Sequence, residues 1–190
     1  MTIGSAPRIL RAPGRVCLNP TESFSAENAE FPYGGTEIGL VKSAAVFSRR
    51  TLLPVMCEGL GEPGDWLEGE PMFTFSCFLR GWDDDGIASL MNYASEQGAV
   101  TQHQLWAVPG PRAGRSARSR AVKLLYEPDD KLNVPGCIVY FGIPDLDEGS
   151  EISFSRDAEL GFPLTLICHR ASISSLMMAI GRVQDLNVNG

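Results

Sequence analysis

The first stretch whose residues could do chemistry is Gly59-Leu60-Gly61-Glu62-Pro63-Gly64, which satisfies the G-x-G-x-x-G spacing of a dinucleotide-binding turn. Such a turn works where a strand feeds a helix, whose first amides receive the pyrophosphate. Here the chain continues Asp65-Trp66-Leu67-Glu68-Gly69-Glu70-Pro71, with Gly69 and Pro71 too close to permit a helix. The carboxylates of Glu58, Glu62, Asp65, Glu68 and Glu70 would also repel a phosphate. The stretch therefore reads as an acidic loop. Asp65, Glu68 and Glu70 could serve acid–base or metal chemistry only if a scaffold held them at fixed separation, which a Gly-Pro loop does not do.

Gly81-Trp82-Asp83-Asp84-Asp85-Gly86 has the look of a calcium loop. Aligning Gly86 with the obligatory glycine puts Gly81 and Asn92 where the first and last carboxylate ligands are needed, so the triple Asp is better read as a helix start. His103 and His169 are the only histidines, too few for a zinc site or a Ser-His-Asp triad. Cys168 and His169 are adjacent, and on a strand they would point to opposite faces. The five cysteines, Cys17, Cys57, Cys77, Cys137 and Cys168, are scattered without a C-x-x-C pair and read as free thiols, four of them inside apolar runs. No cofactor or metal is expected.

Arg112, Arg115, Arg118 and Arg120 form the one basic cluster of note. It lacks the interleaved aromatics or presenting helix of a nucleic-acid reader. Opposite it in charge stands the acidic loop, and pairing of Glu62, Asp65, Trp66 and Glu68 with Arg112, Arg115 and Arg118 of a second copy would let an assembly choose its register by charge. The net charge of −7 argues against a protein that coats DNA. With 44% hydrophobic and 21% charged residues in 190, a stable globular fold is the expectation. No apolar run reaches membrane-spanning length and the N-terminus lacks a secretory signal, which points to synthesis in a cytoplasm.

The elements that would position these residues are mostly strands. Residues 1–36 are rich in Pro, Gly, Ser and Asn and read as an irregular arm with one short strand at RVCLN; residues 37–190 read as a single domain. Two strands are expected in IGLVKSAAVFSRRTLLPVMCE, with Pro54 marking an edge or a bulge. PMFTFSCFLR alternates most clearly, through Phe73, Phe75, Cys77 and Leu79. GWDDDGIASLMNYASEQG reads as one α-helix, capped by Asp83 or Asp84, ended at Gly98, and packed through Ile87, Leu90, Met91 and Ala94. TQHQLWAV, AVKLLYEP, GCIVYFGIP, SEISFS and FPLTLICHRA extend the β pattern, and the tail reads as a closing strand or a short helix. The expected fold is mainly β: a sandwich or an incomplete barrel with one helix at its side and long loops for oligomerisation.

The order of these elements resembles the tail tube proteins of tailed bacteriophages, from about Glu37 to Ala171. The likeness is carried by a G-x-P-x-D-x-x-x-G loop at Gly61, Pro63, Asp65 and Gly69, by the strand and helix start MFTFSCFLRGWDDDG, by the PDDKLNVPG turn and by the FPLT strand. Gly64 and Trp66 depart from the small or aliphatic residues expected in that loop. The resemblance implies a non-enzymatic virion protein of the tail, made in the host cytoplasm, whose copies form hexameric rings that stack into a conduit. DNA would pass through its lumen without specific binding, and the partners would be the chain itself, the tape measure, the sheath and the terminator.

Strand edges left incomplete would be finished by neighbouring copies. A head-tail joining or tail terminator protein belongs to the same class. The reading from a different class is a β-sandwich enzyme or ligand-binding domain using the 65–70 carboxylates with His169.

Overall fold

The computed structural model describes residues 8–10, 12–25, 29–49, 52–56, 63–69, 71–83, 86, 118, 121–145, 161–172 and 174–190. Ten strands account for most of them: β1 (Arg8–Leu10), β2 (Gly14–Leu18), β3 (Thr36–Arg49), β4 (Leu52–Met56), β5 (Pro63–Glu68), β6 (Met72–Trp82), β7 (Val122–Pro128), β8 (Gly136–Asp145), β9 (Phe162–Cys168) and β10 (Met178–Gly181). A 3-10 turn, Val183–Asp185, follows β10.

Alternation in the sequence sets the inner face. On β6 the side chains of Phe75, Cys77 and Leu79 are buried, and β3 contributes Val41, Ala44 and Val46 to the same interior. β7 adds Val122, Leu124 and Tyr126, β8 adds Cys137 and Val139, and β9 adds Leu164, Leu166 and Cys168. Each fully buried Leu or Phe of this set contributes on the order of 1.5–3 kcal/mol by leaving water. The strands run antiparallel in the order β3-β2-β7-β8-β9-β6, and β6 pairs back to β3 from Gly39↔Trp82 to Arg49↔Met72.

That last pairing closes a six-stranded barrel, where the sequence pointed to a sandwich or an incomplete barrel. Closure removes the edges that were expected to await a neighbour. Among the described strands the ones that still carry a free edge are β1, on β3, β10, on β8, and the β4–β5 pair.

The stretch expected as an irregular arm contributes two strands. β2 lies between β3 and β7, and β1 pairs with β3 through Arg8↔Val46. Gly14 opens β2 because the chain passes so close to β7 there that a Cβ would sit 2.4 Å from the Glu127 carbonyl oxygen. Outside the barrel, Phe24 and Tyr33 from the 19–35 segment and Val183 and Val188 from the tail bury a second cluster against Cys17, Leu125 and Ile138. The tail holds on through Lys123 Nζ, which donates to the Val188 carbonyl at 2.7 Å, and the Tyr140 hydroxyl, which donates to that of Asn187 at 2.7 Å.

Of the expected helix, only its first residues and Gly86 are described: Gly86 is α-helical and donates its N–H to the Asp83 carboxylate at 2.9 Å, and the rest of the helix lies outside the described residues. Two differences concern local elements. The acidic loop is not a loop throughout, since Pro63–Glu68 is strand β5. The tail forms both a strand and a 3-10 turn. The strands expected in TQHQLWAV and SEISFS lie outside the described residues. No helix among the described residues is long and apolar enough to cross a membrane.

Candidate functional site

Between β3 and β6 in the chain lies a second antiparallel pair, β4 and β5, which forms a separate two-stranded sheet. The last pair of β3 and β6, Arg49↔Met72, is followed by Leu52↔Glu68, Leu53↔Leu67, Pro54↔Trp66 and Val55↔Asp65 in β4 and β5. Between Arg49↔Met72 and Leu52↔Glu68 the pairing shifts by one residue. Beyond each other, β4 and β5 make no more than marginal contact with any described element. β4 and β5 thus form an arm of their own, in which Leu52 to Met56 spans about 13 Å at ~3.3 Å per residue.

Opposite residues on such a pair share a face, so Leu53, Val55, Asp65 and Leu67 lie on one side of the arm and Pro54 and Trp66 on the other. Both sides are open. Leu53 is 54% exposed, Val55 37%, Trp66 43% and Leu67 57%. At the root, Phe47 and Met72 on the outer face of β3 and β6 are 44% and 54% exposed. A two-stranded ribbon with neither face covered is marginal in water, and Leu53, Val55, Trp66 and Leu67 leave an apolar surface in solvent.

The candidate residues from the sequence fall as follows. Asp65 and Trp66 are on the arm, and the Asp65 carboxylate accepts from the Trp66 backbone N–H at 2.7 Å. Glu68 pairs with Leu52 at its base. Glu62, Arg112 and Arg115 lie outside the described residues. Arg118 is at the barrel corner after β9, where its guanidinium donates to the carbonyls of Arg170 at 2.8 Å and Ala171 at 3.3 Å and lies 5.7 Å from the Phe141 ring centre.

His169 is also at that corner, one residue past β9, where its backbone N–H donates to the Phe141 carbonyl at 2.9 Å.

The one buried charge among the described residues went unnoticed in the sequence. Glu127, 1% exposed, takes Arg15 Nη2 and Lys131 Nζ on Oε1, each at 3.0 Å, and the Tyr33 hydroxyl on Oε2. Arg15 also covers the Phe31 ring, 4.3 Å from its centre. Burial, and then the bond to Glu127, push the Tyr33 phenol up, so it stays a neutral donor. With Tyr33 3% exposed, no substrate reaches this pair. It ties the 19–35 segment to the barrel wall. A hint was present in AVKLLYEP, where Glu127 continues an otherwise buried run.

Four thiols, Cys17, Cys77, Cys137 and Cys168, are free and buried. Burial raises all four, Cys17 and Cys168 to about 12, so they are inert thiols and not thiolate nucleophiles. Among the described residues no group of three His, Cys, Asp or Glu is placed to hold a metal ion. Comparison with protein-family models, with curated proteins and with solved structures finds no match to this chain.

Proposed function

We propose that this chain is a self-assembling structural subunit, and specifically a bacteriophage tail tube protein whose hexameric rings stack into a conduit for DNA. One observation carries the reading: an arm with Leu53, Val55, Leu67 and Trp66 exposed on its two faces, held away from the barrel that should otherwise bury them. Such an arm is a liability in a monomer and an interface in a polymer. The element order supports the finer assignment to tail tubes.

The polymer is the product, so no catalytic constellation is needed. A net charge of −7 favours a lumen along which DNA slides. The home of the assembled protein is the virion tail, with the tape measure, sheath and terminator as further partners.

Negative-stain microscopy of the purified chain tests this. Rings that stack into tubes are expected. Rings that never stack would move the assignment to a terminator or head-tail joining protein, and a monomer at high concentration would overturn it.

A further inference from the structure

The segment that follows β10 is held differently from the strands. Residues 182–190 contain the 3-10 turn and pair with no strand among the described residues. The bonds of the turn, from the Asp185 N–H to the Arg182 carbonyl and from the Leu186 N–H to that of Val183, stay within the segment. It meets the barrel through two donors and two valines. Lys123 Nζ and the Tyr140 hydroxyl each donate to a main-chain carbonyl, of Val188 and Asn187, at 2.7 Å, and Val183 and Val188 are buried. Leu186 is half-buried between them, while Gln184, Asp185, Asn187 and Asn189 face solvent.

The surface it covers is apolar. Cys17↔Leu125, Leu125↔Ile138 and Ile138↔Ala179 are successive cross-strand pairs, so these four residues share the outer face of β2, β7, β8 and β10. Val183 and Val188 pack into the same cluster. β8 opens with Gly136, where a Cβ would sit 2.6 Å from Val183 Cγ2, so the missing side chain leaves the seat that Val183 fills. The other cover of this face, the 19–35 segment, is tied at both ends, to β2 and β3, and again through Tyr33 to the buried Glu127.

We propose that residues 182–190 are a strap that opens on its own while the barrel stays closed, baring the outer face of β7 and β8 around Leu125 and Ile138. Local opening draws on segments with few buried apolar side chains and few backbone bonds to their surroundings, and the strap offers two buried valines and no ladder. The barrel strands beneath are stitched on both sides: β7 by β2 and β8, β9 by β8 and β6. Opening exchanges the polar outer side of the strap for the apolar row under it. All the groups involved belong to one copy, so the strap opens whether or not the chain assembles.

Trypsin reads the opening. Arg182 is exposed and is the one Lys or Arg after Arg170. Val183, on the far side of the scissile bond, is buried, so the bond is cut from the open state, and where opening is fast relative to cleavage the rate follows the open population. In dilute native solution the peptide 183–190 should be released while Cys77, Cys137 and Cys168, the thiols of the barrel interior, stay unlabelled. Tyr140→Phe removes one of the two bonds and should speed the cut about 5-fold. Val188→Ser unseats one valine and should speed it about 10-fold or more.

The barrel thiols check in each variant that the barrel remains folded. Release of the peptide only at the urea concentrations that also label those thiols would overturn the strap as a separate unit. Folded variants cut no faster than the wild type would overturn it equally, because Arg182 would then be cleaved without any opening of the contacts named here.

Discussion

Leu53 and Leu67 stand directly opposite each other on β4 and β5, and each presents more than half of its surface to solvent. A cross-strand leucine pair contributes on the order of 0.2–1 kcal/mol to its own ribbon. That is far less than the same two side chains would contribute if a partner covered them, at about 1.5–3 kcal/mol each. Under the proposed assembly, this pair is what a neighbouring copy covers.

Trp66, on the opposite face of the arm, should behave as an anchor of that contact. Trp66→Ala is expected to shift protomer unfolding by no more than about 0.5 kcal/mol, as at other exposed positions, while weakening association by about 2 kcal/mol or more. Urea unfolding of the protomer, set beside the concentration dependence of assembly, separates the two effects. A loss of protomer stability equal to the loss of association would mean that Trp66 packs within its own chain.

The Glu127 node makes a graded prediction. Glu127→Ala strands the Arg15 guanidinium and the Tyr33 hydroxyl and should cost about 3–5 kcal/mol. Tyr33→Phe removes one bond to a buried carboxylate and should cost about 1–3 kcal/mol. Lys131, whose side chain is 47% exposed, should cost less than about 1 kcal/mol as Lys131→Ala. Denaturant titration of the three variants gives the order, and a Lys131 variant as damaging as the Glu127 one would contradict it.

Two glycines should respond oppositely to alanine. At Gly14 a Cβ would meet the Glu127 carbonyl oxygen at 2.4 Å and the Tyr126 ring at 2.8 Å, so Gly14→Ala must push β2 off β7 and should cost about 1–3 kcal/mol. At Gly81 the nearest atom is Leu40 Cδ1 at 3.8 Å, and Gly81→Ala should be neutral or slightly stabilising. Melting temperatures of the two variants decide the matter.

Alkaline pH should unfold the barrel before it touches an ordinary surface. Burial lifts Cys17 and Cys168 from near 9.0 to about 12, and the charged thiolate is thus disfavoured in the folded state. The stability this gives is complete below pH 9, where both states hold the proton. It is lost as pH rises from about 9 to about 12, because the unfolded chain ionises first. Thiol reagents at pH 8 should leave Cys17, Cys77, Cys137 and Cys168 unlabelled until denaturant is added, and native labelling of these four would contradict their burial.

Much of the barrel was legible because its strands alternate strongly: PMFTFSCFLR, AVKLLYEP, GCIVYFGIP and FPLTLICHRA all became strands at the expected places. Closure was not legible, since the β3–β6 pairing is a matter of register and length that no local pattern reports. β5 was hidden because Pro63, Gly64 and Gly69 read as turn residues, whereas pairing with β4 holds PGDWLE extended. β2 was visible only as RVCLN amid turn-forming neighbours, and its place between β3 and β7 depends on contacts more than 100 residues apart, such as Val16↔Tyr126. Of the candidate site, the sequence located the acidic stretch but not its apolar exposure. Which leucines face water is decided by where the barrel ends.

The account stands on the arm as a surface for other copies of the chain. Sedimentation velocity of the wild type beside Leu53→Ser with Leu67→Ser, across a range of concentrations, tests it most directly. The account predicts that the wild type sediments as assemblies and the double variant as a folded protomer with an unchanged melting temperature. A wild type that sediments as a protomer at every concentration, or a double variant that assembles equally well, would contradict it.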